Sequence, residues 1–361
     1  MSTNRLFMDM HAIQVLPPSN VNRDDTGSPK TAVYGGVTRA RVSSQAWKRA
    51  IREYFRNNEE IRDLGSRTLN PARFVAEKMQ AEHPEVNTED ALNKSLKALM
   101  TAGLKFSKNK DGEQVLKALF FLGSRQAKEL AEVAYKGDYD EKRVKAILQS
   151  NPDIDIALFG RMLADDNQFN VDASSQVAHA ISTHEVNTEY DYFTAADDLQ
   201  KEGKSGAAML DTTEFNSSTL YRYANVAVHE FKHQMNDNKE AVIKGLKLYA
   251  EAFSNSMPSG KSNSFANQTL PQAFLVILRD DRPVNLVGAF ENPVKAGKEG
   301  YVKESVSRMF AEADRVTKFV HKPLAAFYVL ADNEHYSFDG NSEDNLDQLL
   351  DAVSAELEKD L

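Results

Sequence analysis

The sequence contains no cysteine, which excludes disulfide bonds and metal sites built from thiolates. It has no apolar run near the roughly 20 residues that a helix needs to cross a bilayer. Its first residues, MSTNRLFMDMHAIQVLPPS, lack the apolar stretch and small-residue cleavage site of a signal peptide. These absences predict a cytoplasmic protein with no membrane partner.

Acidic residues are missing from one segment of an otherwise acidic chain. The 361 residues carry a formal charge of −9, which argues against a protein that coats nucleic acid with its whole surface. From Lys30 to Arg52, however, there are six basic residues and no acidic one. The hypothesis that follows is a confined surface for a polyanion.

The basic segment has the pattern of a hairpin followed by an amphipathic helix. AVYGGVTRARV carries a two-glycine turn between β-branched residues. Ser43 and Ser44 then offer a helix N-cap, and Trp47, Ile51 and Phe55 repeat every four residues on one helical face. The basic side chains of RARVSSQAWKRAIR therefore point away from that apolar face.

A helix start of this composition suits phosphate groups. Helix N-termini present unpaired N–H groups and a partial positive charge. The hydroxyls of Ser43 and Ser44 and the amide of Gln45 add donors, and Lys48 and Arg52 lie one helical step apart. A solvated charged face beside an ordinary cap remains the alternative interpretation.

HEFKH matches the H-E-x-x-H pattern in which two histidines on one helical turn bind zinc beside a general base. The preceding YRYANVAV alternates as a strand, so the motif is expected at a strand end. There His229 and His233 would lie too far apart for one zinc. A zinc hydrolase built on His229, Glu230 and His233 is the alternative function.

Two loops could also carry chemistry. NRDD places Asp24 and Asp25 together, as a nuclease metal site or, more simply, as turn residues beside Arg23. SGKS resembles a P-loop but has Asn255 where that motif has glycine, so it indicates a flexible loop whose Lys261 could reach a phosphate.

Along the chain, strand and helix patterns alternate in a way that predicts an α+β fold. Residues 58–150 show helical spacing and are interpreted as an inserted helical subdomain. NPDIDIALFGRML is expected to return to a strand, and residues 196–217 have the composition of a protruding hairpin. Helices are expected in NDNKEAVIKGLKLYAEAFS and in two C-terminal segments.

Several segments in order resemble one family. NRDD, YGG, RARVSSQAWKRAIR, DIALFGRM, VAHAISTHEV, DYFTAADDL and YRYANV together resemble the CasC family, the backbone subunit of the type I-E CRISPR surveillance complex Cascade. The matches run from about residue 6 to 230, with a weaker tail to the C-terminus. The combination is specific, although no single segment is.

The resemblance implies an RRM-like (ferredoxin-like) palm at residues 1–57, 151–195 and 218–361, helical fingers at 58–150 and a thumb hairpin at 196–217. It implies a non-catalytic subunit without cofactor or metal. Copies would polymerise along one CRISPR RNA (crRNA), join other Cascade subunits and present the guide to target DNA.

Site residues follow from the charge pattern and the resemblance together. The family's phosphate-binding segment corresponds to Lys30, Ser43, Gln45, Lys48, Arg49 and Arg52. The full set predicted to bind RNA is Arg23, Lys30, Arg39, Arg41, Ser43, Ser44, Gln45, Lys48, Arg49, Arg52 and Lys261. Met162 resembles the family's wedge residue, which separates adjacent nucleotides, with Phe193 and Leu210 as companions.

Overall fold

A computed structural model describes residues 5–58, 64–150, 152–163, 167–195, 209–332 and 334–361. The chain divides into two compact units. Unit 1 comprises residues 1–54, 177–225 and 247–361, and unit 2 comprises residues 55–176 and 226–246. Among the described residues, no helix has the length and apolar character required to cross a bilayer.

The described strands and helices follow one another in a mixed order. The strands are β1 (Phe7–Ser19), β2 (Thr31–Tyr34), β3 (Val37–Val42), β4 (Ser66–Thr68), β5 (Phe106–Lys108), β6 (Gln114–Leu116), β7 (Phe120–Leu122), β8 (Ser175–Val177), β9 (Ala180–Ser182), β10 (Glu189–Ala195), β11 (Met209–Ala227), β12 (Pro271–Arg279), β13 (Ala325–Leu330) and β14 (Asn341–Ser342). The helices are α1 (Ser44–Asn57), α2 (Pro71–Glu82), α3 (Thr88–Thr101), α4 (Ser124–Lys136), α5 (Glu141–Gln149), α6 (Ile154–Phe159), α7 (Val228–Gln234), α8 (Lys239–Asn255), α9 (Ser262–Phe265), α10 (Val302–Val316) and α11 (Leu346–Asp360), with 3₁₀ turns at Asn167–Phe169 and Leu286–Phe290.

Unit 1 is built on one sheet with the strand order β14-β13-β12-β1-β11-β9-β3-β2. The pairs β1–β12, β12–β13, β11–β9, β9–β3 and β3–β2 are antiparallel, and β13 and β14 run parallel. Apolar residues of the central strands, such as Ile13 and Leu275, pack against Phe290 and Phe310 in its core. The predicted α+β class is confirmed.

The two-glycine turn in unit 1 forms as expected. Gly35 and Gly36 join β2 to β3 with φ of 61° and 80°, a conformation that glycine adopts without steric cost. A Cβ at Gly35 would also lie 1.7 Å from the carbonyl oxygen of Glu291, so only glycine fits this approach.

Unit 2 has a helical core formed by α2 to α5, with Val75, Leu99, Leu130 and Leu148 buried together. Helices α2, α3 and α5 follow the predicted periodicity. The helical spacing predicted across residues 58–150 was wrong at GEQVLKALFFLG, because β6 and β7 occupy this segment and pair with β5 and β4. The strand expected in NPDIDIALFG is also corrected, because α6 forms there.

A two-stranded arm extends from the sheet of unit 1. β10 pairs with the first part of β11, from Glu189 opposite Phe215 to Ala195 opposite Met209. The arm therefore begins before residue 196, where the sequence predicted the hairpin to start. Residues 196–208, which make up most of the predicted thumb, lie outside the described part of the chain.

Candidate nucleic-acid interface

Three segments that are distant in sequence line one groove of unit 1, which we call the α1 groove. They are the loop at residues 21–27, the first turns of α1 and the loop at residues 258–261. Of the residues predicted to bind RNA, this groove contains Arg23, Ser43, Gln45, Arg49 and Lys261. The structure thus brings together the NRDD loop, the basic helix start and the SGKS loop.

Two asparagines, of which Asn20 is buried, hold the 21–27 loop of the groove in place. The side-chain oxygen of Asn22 accepts the backbone N–H of Ser43 at 2.8 Å, joining the 21–27 loop to the start of α1. Asn20 donates its amide to the carbonyls of Gly27 at 3.0 Å and Glu214 at 2.8 Å. Because Asn20 is 1% exposed, these bonds fix the loop against the base of the β10–β11 arm.

Helix α1 is capped and oriented as the sequence predicted. The Ser43 hydroxyl accepts the N–H of Ala46 at 3.3 Å, and the helix begins at Ser44. Trp47, Ile51 and Phe55 are buried on its apolar face. The basic side chains are therefore held on the other faces of a rigid helix.

The polar side of α1 carries two adjacent stripes of residues. Gln45, Arg49 and Glu53 form the stripe inside the α1 groove. Arg49 donates from Nε to Glu53 Oε1 at 2.8 Å, so an acid already accompanies this cation. The stripe of Ser44, Lys48 and Arg52 lies beside it, offset by one residue, and contains no acid.

Lys48 differs from an ordinary surface lysine. Burial lowers the pKa of its ammonium, because removing water disfavours the charged form. An approaching phosphate would replace the lost hydration and reverse this effect. A half-buried cation on this stripe therefore gains more from an anion than a fully hydrated one does.

Arg39 was predicted to bind RNA, but its side chain is buried and binds backbone carbonyls of the fold. Its side chain is fully buried and donates to the carbonyls of Tyr34 at 3.1 Å, Ser182 at 2.9 Å and Phe290 at 2.8 Å. These bonds join β3 to neighbouring segments of unit 1. We therefore omit Arg39 from the phosphate-binding set.

A second basic patch involves Lys30, Arg41 and His179, a histidine that was not among the residues predicted to bind RNA. Arg41 donates from Nε to the Thr31 carbonyl at 3.0 Å, and its Nη1 lies 3.1 Å from His179 Nδ1. Burial, followed by the charges of Arg41 and Lys30, lowers the pKa of His179. The smaller contributions, from the charges of Arg41 and Lys30, indicate a locally positive field that favours an anion.

In the NRDD loop, Asp24 stabilises a turn through its side-chain hydrogen bonds. Asp24 Oδ1 accepts the N–H of Thr26 at 2.9 Å, the Thr26 hydroxyl at 2.7 Å and the N–H of Ser28 at 3.0 Å. The hydrogen bond from Thr26 is the main cause of the lowered pKa of Asp24. Arg23 is exposed beside this turn, and Asp25 joins no cluster of three metal ligands in the described ranges.

Lys261 lies at the opposite wall of the groove. Its ammonium donates to the hydroxyl of Thr213 on the β10–β11 arm at 3.0 Å. The preceding Gly260 approaches the backbone so closely that a Cβ would lie 2.1 Å from the carbonyl oxygen of Val21. The helix that follows, α9, is only four residues long, so this loop is not a P-loop.

The expectation of a strand end at HEFKH is corrected by the structure. β11 ends at Ala227 and α7 begins at once, so His229 and His233 lie one helical turn apart. His229 Nε2 lies 3.9 Å from Glu230 Oε1. A catalytic zinc needs about three protein ligands, and in the described part of the chain these histidines belong to no three-ligand cluster.

We expect purified protein to carry no stoichiometric zinc at this motif. His229→Ala should leave metal content and RNA binding unchanged, as measured by elemental analysis and a binding titration. His83→Ala is the control, because Glu82, His83 and Glu132 form a surface cluster that could collect metal ions. Zinc at one equivalent that disappears only in His229→Ala would instead support the hydrolase.

Asp9 is the most perturbed carboxyl group of unit 1. Burial raises its pKa to about 7. Three partners oppose this shift: the hydroxyl of Tyr223 donates to Asp9 at 2.8 Å, the N–H of Val284 donates at 2.9 Å, and Arg279 lies 3.4 Å away. Such groups often mark catalytic sites. Asp9 and Arg279 are, however, enclosed within the sheet at 0% and 1% exposure, so a substrate cannot reach them.

The predicted wedge residues are exposed apolar side chains. Met162 is 82% exposed, although its neighbours Arg161 and Leu163 are buried. Phe193 is 39% exposed on β10. The backbone of Leu210 pairs with Thr194 in the arm, and its side chain lies outside the described part of the structure.

Comparisons with known proteins give one family and two close structural matches. A family model described as "CT1975-like protein" matches residues 8–354. A solved chain titled "CRISPR RNA-guided surveillance complex, pre-nicking" is 32% identical with a TM-score of 0.86, covering 97% of this chain and 100% of that one. A second, titled "CRISPR RNA-guided surveillance complex", is 28% identical with a TM-score of 0.76, covering 97% and 99%. The search of curated proteins found no match.

Proposed function

The chain belongs to the CT1975-like protein family, and from this premise we propose that it is a non-catalytic, crRNA-binding subunit of a CRISPR surveillance complex. The family match and the two structural matches confirm the resemblance inferred from the sequence segments. The observation that carries the binding role is the α1 groove with its adjoining basic stripe. There, donors from three segments surround the start of a rigid basic helix.

The arrangement suits the sugar–phosphate backbone of RNA. Ser43 and Gln45 offer neutral donors at a helix N-terminus, and the stripe of Lys48 and Arg52 adds charge at the spacing of one helical turn. Lys30, Arg41 and His179 extend the positive field on β3 and beyond. Such contacts fix position without reading sequence, as a subunit that accepts many guides requires.

A small basic surface is sufficient because many copies would share one RNA. Each subunit would neutralise a few phosphates, and the binding free energies would add along a polymer of copies. The remaining acidic surface, within a chain of charge −9, need not touch the guide. Other Cascade subunits and, through the guide, target DNA would complete the set of partners.

We assign the role of the RRM-like palm to the unit that contains the sheet, an assignment that its largely antiparallel strand pairing supports. The helices of residues 58–150 would be the fingers, and the β10–β11 arm would be the base of the thumb. Met162 would then divide the guide by displacing a nucleotide, and Phe193 on the arm would have a role of the same kind, because an apolar side chain can fill the gap left by an unstacked base.

The proposal predicts that RNA co-purifies with the protein when it is expressed with a CRISPR array. We expect a raised ratio of absorbance at 260 to that at 280 nm, and sequencing should recover array-derived guides of uniform length. Expression without an array is the control. Protein that is free of RNA in both cases, or that carries only unrelated cellular RNA, would contradict the proposal.

A further inference from the structure

The loop that carries Met162 is anchored by the buried side chain immediately before it. We propose that Arg161 is a positioning residue that holds Met162 in the orientation needed to displace a nucleotide. This inference rests on the wedge role proposed above for Met162. Arg161 itself is 3% exposed and would not touch the guide.

Arg161 connects four separate segments of unit 2. Its Nε donates to the Phe169 carbonyl at 2.7 Å, and its Nη1 donates to the Phe121 carbonyl and to Gln126 Oε1, each at 3.2 Å. Its Nη2 donates to the Leu148 carbonyl. The acceptors come from a 3₁₀ turn, β7, α4 and α5, so one planar guanidinium fixes its own backbone against four elements.

The backbone around Met162 is held from both sides. The N–H of Arg161 donates to the Val171 carbonyl at 2.9 Å, and the N–H of Val171 donates to the Arg161 carbonyl at 2.8 Å. The N–H of Leu163 donates to Asn170 Oδ1 at 2.7 Å. Gly160 has φ of 75°, and a Cβ there would lie 2.9 Å from the Val171 carbonyl oxygen.

Arginine is costly in this position, which argues for a geometric purpose. Burial lowers the pKa of Arg161 to about 10, so the group still carries its charge at neutral pH. Its hydrogen-bond acceptors named above are neutral, and hydrophobic residues of similar volume often replace buried charges without loss of stability. A guanidinium whose donors reach four segments holds the loop in one position, and this function explains why the desolvation cost of its charge is tolerated.

The consequence is an exposed apolar side chain on a rigid base. Exposed residues in loops are usually also mobile. Met162, in contrast, is exposed but lies between two buried residues. A wedge needs this combination, because a side chain that yields to the neighbouring bases cannot keep them apart. Loosening the anchor should therefore have the same consequence as removing the wedge.

The test is Arg161→Lys, which keeps the charge but loses the fork that spans four acceptors. Assembled complexes with one guide RNA are titrated with targets that carry a single mismatch at each position. In the wild type, a mismatch at a paired position should weaken binding about tenfold, the value of one stacking step, and a mismatch at a displaced position should have little effect. Arg161→Lys should remove this periodic contrast and retain the guide.

A matched control separates positioning from general destabilisation. Arg279→Lys alters another buried arginine, which is 1% exposed in unit 1, and should lower the melting temperature without changing the mismatch profile. Asn170→Ala removes the other anchor of the loop from an exposed position, so it tests the same idea if Arg161→Lys does not fold.

The outcomes distinguish this inference from the wedge proposal. A periodic profile retained in both Arg161→Lys and Asn170→Ala, but lost in Met162→Ala, overturns the positioning role and leaves the wedge intact. A periodic profile retained in Met162→Ala overturns the wedge and this inference with it. Loss in the two anchor variants and in Met162→Ala, but not in Arg279→Lys, supports the positioning role.

Discussion

Replacing both Lys48 and Arg52 with alanine should weaken RNA binding about 25-fold at roughly 0.1 M salt. Each phosphate contact on a single strand contributes about 0.7 to the slope of log affinity against log salt. Two lost contacts should therefore reduce the slope by about 1.4. If wild type and variant bind equally at about 1 M salt, a tenfold lower salt concentration then gives a difference in affinity of about 25-fold. The loss should shrink as salt is added, since the contacts are ionic.

The measurement is a set of binding titrations at several salt concentrations with two unrelated guides. Because phosphates carry no base identity, both guides should lose affinity equally. Lys303→Ala plus Arg308→Ala is the control, as it removes the same two charges from α10, where Glu334 and Glu304 pair with them at 2.8 Å and 2.7 Å. A slope that stays unchanged in the Lys48/Arg52 variant would mean that their side chains do not face the guide.

Arg49→Ala gives a useful contrast within the same helix. Arg49 is exposed and paired with Glu53 at 2.8 Å, so its removal also releases an acid into the α1 groove. We therefore expect Arg49→Ala to change RNA affinity differently from the replacement of Lys48 or Arg52 in the neighbouring stripe. The comparison shows which face of α1 the RNA follows.

The local structure around the basic helix could be predicted because short-range signals agree there. The glycine pair determines a two-residue turn, Ser43 caps the helix, and the apolar residues repeat at the helical period. Each of these depends on neighbours within a few residues. The meeting of this helix with the SGKS loop could not be predicted, because it depends on strand order in the sheet.

Two local predictions failed for a common reason. DIALF and VHEFKHQ are short apolar or mixed runs, whose periodicity does not distinguish a strand from one or two helical turns. Alternation in YRYANVAV was a correct signal for β11, but it carried no information about where the strand ends. The residue pattern therefore predicted β11 correctly but missed α7 at HEFKH.

The role of Arg39 was also hidden from the sequence. It lies in the same basic run as Arg41 and Lys48, and charge alone does not separate an arginine that binds a ligand from one that binds carbonyls. Its acceptors Ser182 and Phe290 are more than a hundred residues away along the chain. Only the tertiary structure brings them to the guanidinium.

Met162→Ala should alter target recognition while leaving guide retention nearly unchanged. In the proposed function, guide retention depends on phosphate contacts, and an apolar methionine side chain would add none. Its side chain is 82% exposed, so its removal should change folding stability by no more than about 0.5 kcal/mol. Met100→Ala is the matched control, because Met100 is 57% exposed in the same unit and belongs to no proposed site.

In the wild type, guide RNA divided by wedges cannot form one continuous helix with target DNA. A displaced nucleotide makes no pair, so a mismatch opposite it should be tolerated, whereas a mismatch within a paired segment should weaken binding about tenfold. The tolerated positions should recur at a fixed interval, because in the proposed assembly each copy along the guide would contribute one Met162. Alanine is too small to fill the gap between separated bases, so the displaced nucleotide should return to the stack and the periodic tolerance should fade. The scan is decisive in the wild type itself: a penalty that is equal at every target position would rule out displacement by Met162, whatever the variant does.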